Sequence, residues 1–194
     1  MRKGTSITAS GAFAFAVACG YGGPYSLAGS ANVGGTVGGQ TLAANDAISN
    51  LVSVGDASQV LAAWILITTV PDECGVAKAR QMLKSGSQLL LALGISPSPD
   101  RLTPPTMGTY TVSADAKQRG RVAAAGFSVA DASCLRTSSV QATSGVVTLT
   151  RVDETGYGGI FDLVFADPPG RLTGTFNTGT CSSFGTNPID RCPR

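Results

Sequence analysis

The chain has 194 residues, with 14 Lys or Arg, 12 Asp or Glu and no His, for a formal charge of +2. Charged residues are only 13% of it, well below the usual quarter, and no Lys/Arg cluster tracks a strand or helix, which excludes a nucleic-acid footprint. The lack of histidine removes the commonest general base and the commonest metal ligand together, so no cofactor or metal is expected.

The first element is a segment ordered like a secretory signal: Arg2 and Lys3, an uncharged and largely apolar run from Ile7 to Ala18, then Cys19. It falls short of the roughly 20 apolar residues that a membrane-spanning helix needs. Ala16-Val17-Ala18-Cys19 resembles a lipobox, with Ala16 where Leu is usual. That resemblance implies removal of residues 1–18, acylation of Cys19 and attachment to a lipid bilayer through it. Gly20, rather than Asp, follows the cysteine, which by resemblance to known lipoprotein sorting implies the outer membrane in a cell that has one. Arg2 and Lys3 account for the net charge, so the mature chain is close to neutral.

Residues 19–35, the lipidated cysteine and a Gly-rich run, read as a flexible spacer, and residues 36–194 as one domain. The glycines around Gly34-Gly35-Thr36-Val37-Gly38-Gly39 are followed by no Lys and lack a strand-to-helix context, so they read as a short strand ending in a turn rather than a phosphate loop. Val60 to Val70 is a buried strand with Trp64 in the core. Asp72 then caps a helix that carries Glu73 and Cys74 in its first turn, has Val76, Ala79 and Leu83 on one face, and ends at Ser85-Gly86. Gln88 to Ile95 is apolar on both faces, and Ser96-Pro97-Ser98-Pro99-Asp100 reads as an exposed loop.

Beyond Gly108 the chain alternates cleanly. Tyr110 and Val112 oppose Thr109 and Thr111; Ala123, Ala125 and Phe127 share a face; Phe161, Leu163 and Phe165 oppose Asp162. Turns are expected at Asp153-Glu154-Thr155-Gly156 and Asp167-Pro168-Pro169-Gly170. The fold class is therefore mainly β: an antiparallel β-sandwich or partly open β-barrel with one covering α-helix.

Four further cysteines, Cys74, Cys134, Cys181 and Cys192, are an even number in an exported chain and read as two disulfides. Three connectivities are open; the preferred ones join Cys74 to Cys134 or Cys181, with Cys192 taking a remaining partner.

Catalytic constellations are thin. Asp153 with Glu154, and Asp162 with Asp167 or Asp190, are the carboxylate pairs on offer, and they read as solvated charge. Ser85 and Ser113 have Lys84 and Lys117 nearby in sequence without a spacing that singles them out, and Asp56, Asp100 and Asp131 are too isolated for a calcium loop. Binding is easier to host: Tyr110 and Tyr157 are the candidate contact residues, Tyr157 for its glycine neighbours. A barrel interior lined by Leu89, Leu91, Phe161 and Leu163 is the place for an apolar ligand, although small barrels usually fill with their own side chains.

Three stretches carry a family resemblance: Gly35-Thr36-Val37-Gly38-Gly39 after the spacer, Pro71-Asp72-Glu73-Cys74 after an apolar strand, and Phe161-Asp162-Leu163-Val164-Phe165 leading into Arg171-Leu172-Thr173-Gly174-Thr175-Phe176 before Cys181. Together they resemble a group of surface lipoproteins of myxobacterial type that has no assigned activity. The resemblance implies the address and the fold and brings no catalytic residue. The expectation is a lipid-anchored envelope protein, not an enzyme, with a structural or protein-interaction role toward other envelope proteins. The alternative is a carrier of a small ligand or carbohydrate, using a barrel cavity or exposed aromatics.

Overall fold

A computed structural model describes residues 29–53, 61–78, 85–98, 101–113, 118–133 and 136–185. In chain order the elements are β1 (Ser30–Val37), β2 (Asp46–Ser53), β3 (Leu61–Thr68), α1 (Glu73–Lys78), β4 (Gly86–Ser98), β5 (Arg101–Thr103), β6 (Gly108–Ser113), β7 (Gly120–Ala130), β8 (Arg136–Asp153), β9 (Gly156–Ala166), β10 (Pro169–Asn177) and β11 (Gly179–Thr180). The protein is mainly β, as its alternation predicts.

The strands form one sheet in the order β1-β10-β9-β8-β6-β7-β4-β3-β2-β11, with β5 paired to β4. It curls on itself as a half-barrel, so its concave face supplies both walls of the core without a second sheet. Neighbours are antiparallel except β6 with β7 and β11 with β2. The last residues of the sheet tie its two arms together at one end. Thr178 N donates to Tyr157 O at 2.8 Å and Thr180 N to Thr155 O at 2.9 Å, while Gly179 and Thr180 pair with Ile48 and Ser49.

Inward positions follow the period of two. Leu89, Leu91 and Leu93 on β4 have no exposure, and they meet Ile65 and Ile67 of β3, Phe127 of β7, Leu163 and Phe165 of β9 and Leu172 of β10 in one cluster. The hairpin β9–β10 turns at Asp167-Pro168 and β8–β9 at Glu154-Thr155, both where turns are expected. Two reciprocal pairs fill the β9–β10 hairpin: Phe161 lies opposite Gly174 and Phe176 opposite Gly159. Their rings stack with centroids 6.4 Å apart. A Cβ on Gly159 would lie 3.0 Å from the Phe176 ring and 2.3 Å from Thr148 O, so glycine there makes room for the aromatic ring.

A smaller cluster forms on the convex side of β2, β3 and β4. Ile48, Leu66, Cys74, Cys181 and Phe184 are buried there, with Trp64, Ala77 and Leu90 packed against them. Both faces of β4 are therefore covered, as its apolar run requires. Trp64 is only half-buried and meets Phe184 edge-on at 6.2 Å, so it belongs to this outer cluster and not to the main core.

Two local expectations are corrected. Ser96-Pro97-Ser98 is not a loop but the end of β4, which folds back to pair with Arg101–Thr103; Pro97 is exposed, and Ser96 Oγ donates to Ser98 O at 2.9 Å. Residues 30–35, read as spacer, belong to β1, which pairs along its whole length with β10. The described helix runs over Glu73–Lys78, and Ala79 and Leu83 lie outside the described residues.

Candidate functional site

Asp72 starts α1 as its sequence predicts. Its Oδ1 accepts from Gly75 N at 3.2 Å and its carbonyl from Val76 N at 3.1 Å, with φ at 52°. This turn places Cys74 against β11, where it forms a disulfide with Cys181 across 107 residues of sequence. That is one of the two preferred partners of Cys74. Cys19, Cys134 and Cys192 lie outside the described residues.

The two candidate contact tyrosines come together, but inside the molecule. Tyr110 has no exposure; its hydroxyl donates to Thr106 O at 2.6 Å and accepts from Thr106 N at 2.7 Å. Tyr157 is half-buried against the same core, and burial, with Tyr110 nearby, raises its phenol above the usual value. Its glycine neighbours are buried strand positions, not loop positions. Tyr110 offers no ring face to a partner, and both rings pack at one end of the sheet's interior. Leu89, Leu91 and Leu163 have no accessible surface and Phe161 has 4%, so the interior at these positions is occupied by side chains.

The carboxylates near the turns behave as surface charge. Asp153 takes hydrogen bonds from Thr155 and Arg151, which hold its carboxyl below the usual range, and Arg151 also reaches Thr178 O at 2.9 Å. Asp162 is held low by Arg171, whose Nε donates to it at 2.8 Å. Asp153 and Asp162 are thus each matched to an arginine and not to a second carboxylate. No group of three or more potential metal ligands occurs among the described residues.

The buried polar groups that sequence reasoning missed sit where the arms of the sheet meet. Thr178 Oγ1 donates to Ser49 Oγ at 2.8 Å and accepts from Tyr157 N at 2.9 Å, which satisfies both hydroxyls in the seam. Beside them, Asp46 at the start of β2 accepts from Ala47 N at 2.8 Å, Glu73 N at 2.8 Å and Gly29 N at 3.2 Å. Glu73 is 4% exposed, and its Oε2 has no hydrogen-bond partner among the described residues. Burial, and then the charge of Asp46, push its carboxyl from 4.5 up to about 7. The available signal was an acidic residue at the head of an apolar strand, opposite the end of the strand that leads into Asp72-Glu73.

The convex face has two different halves. Over β2–β4 it is covered by α1 and residues 181–184. Over β6, β8, β9, β10 and β1 it presents three registers of mostly short side chains, crossed by the Asp162–Arg171 ion pair: Thr109, Thr148, Ile160, Thr175 and Asn32; Thr111, Val146, Asp162, Thr173 and Gly34; Ser113, Ser144, Val164, Arg171 and Thr36. Val146, Ile160 and Val164 are 42%, 51% and 40% exposed. No family model, curated protein or solved structure matches this chain.

Proposed function

We propose that this chain is a lipid-anchored envelope protein, held by acylated Cys19 and acting through protein interaction rather than catalysis. The reading rests on one observation. The half of the convex face formed by β6, β8, β9, β10 and β1 carries Val146, Ile160 and Val164 exposed among hydroxyl side chains and the Asp162–Arg171 ion pair, whereas the other half is covered by the chain's own helix and residues 181–184. Short β-branched side chains in register make a surface of low side-chain entropy, and exposed aliphatics on it supply apolar area for a partner. The lipobox-like Ala16-Val17-Ala18-Cys19 and the resemblance to surface lipoproteins support the address.

The test is site-specific photocrosslinking from position 160 in the native envelope, with Cys19→Ala in parallel. A discrete adduct from position 160, abolished by Val164→Lys, is expected, together with loss of lipid label and release from membranes in Cys19→Ala. Retention of label by Cys19→Ala overturns the anchor. Absence of any adduct from position 160 overturns the interaction face.

A further inference from the structure

We propose that the Asp46–Glu73 contact is a proton-controlled latch that holds the start of α1 on β2. Asp46 is the common anchor: Oδ1 takes Gly29 N at 3.2 Å, and Oδ2 takes Glu73 N at 2.8 Å. A Cβ on Gly29 would clash with Ala47 O at 1.8 Å, so Gly29, next to the start of β1, lies flat on β2. Glu73 places a second carboxyl beside this anchor, 4% exposed and with Oε2 unpartnered among the described residues. A buried carboxyl without a partner is tolerated when protonated and destabilising when ionised, the more so next to another carboxylate.

Among the described residues little else in the neighbourhood titrates. Strands β1, β3, β4 and β11 contain no ionisable side chain, and Cys181 is bonded to Cys74. Asp72 is exposed with its carboxylate turned to Gly75 N, and Lys78 is exposed in the last turn of α1. Glu73 therefore answers chiefly to its own burial and to Asp46. With the proton on Glu73 the latch is shut. As pH rises, the proton passes to water, the ionised side chain is driven toward solvent, and its backbone N–H leaves Asp46. The disulfide at Cys74 keeps the helix on residue 181, so the movement is a displacement of the first turn and not a release of α1.

A carboxyl titrating near 7 when shut and near 4.5 when open raises the opening equilibrium by roughly 70-fold between pH 5 and pH 8. The experiment is amide hydrogen exchange at Glu73 in the full chain, corrected for intrinsic rates, with Gly29 on the other oxygen of Asp46 as the internal reference, alongside the carboxyl-carbon NMR titration of Glu73. Protection at Glu73 that falls by about that factor in the wild type, and stays flat with pH in Glu73→Gln, is expected. Flat protection in the wild type overturns the latch, as does a pH dependence that survives in Glu73→Gln. If Glu73→Gln does not fold, the wild-type titration decides alone: a midpoint near 7 supports the latch, and one near 4.5 refutes it.

Discussion

Replacing both Cys74 and Cys181 with Ala removes the cross-link that fastens α1 to the end of the sheet. The bond closes a loop of 107 residues, for which the chain-entropy relation predicts a loss of about 4.8 kcal/mol at 25 °C. Both cysteines are 1% exposed in the outer cluster with Ile48, Leu66 and Phe184, so truncation to Ala also loses some packing and does not offset that loss. In a domain of this size the change corresponds to a fall in Tm of roughly 10–20 °C. Urea denaturation of the oxidised wild type and the double variant measures it directly. The midpoint should fall, and the slope should rise because the uncross-linked unfolded chain is more expanded. A loss below about 1 kcal/mol with an unchanged slope would show that residues 74 and 181 are already close in the unfolded chain, and the argument from loop closure would fail.

Three further outcomes are expected. Because the folded state raises the Glu73 carboxyl from 4.5 to about 7, the folded protein binds more protons between those values; stability is therefore greatest below that window, falls by roughly 2–3 kcal/mol from pH 5 to pH 8, and levels off above 7. Glu73→Gln should erase that slope in denaturation series at the two pH values. Tyr110→Phe strips two hydrogen bonds from Thr106 and should lower stability by about 1–3 kcal/mol without changing the strand signal in circular dichroism. Gly159→Ala drives a methyl against Thr148 O and the Phe176 ring, so a loss of about 1–3 kcal/mol is expected by thermal denaturation, with an unchanged Tm counting against the tight fit.

Much of the fold was legible because alternation reports which side of a strand is buried. Phe161, Leu163 and Phe165 face inward and Asp162 outward, as read, and Leu90 finds a second apolar cluster on the far side of β4. What alternation does not report is what the buried side packs against. A curled sheet and a sandwich bury the same residues, so the single half-barrel followed from long-range pairings such as β1 with β10. Pro97 and Pro99 suggested a loop, yet Pro97 sits exposed in an extended stretch that only the short β5 partners. Tyr110 was readable from its own strand, since it shares a face with Val112; treating it as a contact residue set that aside. Tyr157 was not, because Gly156, Gly158 and Gly159 look like a loop until Thr178, Arg151 and Phe176 are seen to occupy the space that they leave. Asp46 and Glu73 are 27 residues apart, and only the pairing of β2 with β3 brings them together.

The pairing of β1 with β10 also sets an order of assembly. Ser30 lies opposite Asn177 and Val37 opposite Gly170, so β1 has no β10 partner until roughly 140 further residues have been made. The hairpins β8–β9 and β9–β10 close through two-residue turns and form from neighbouring sequence. Strand β1 must wait for them, and loop-closure entropy makes its arrival a late step. Until then its backbone N–H and C=O groups are unpaired, so a chaperone that holds residues 30–37 would protect the chain at the stage when it is most open to pairing with another copy.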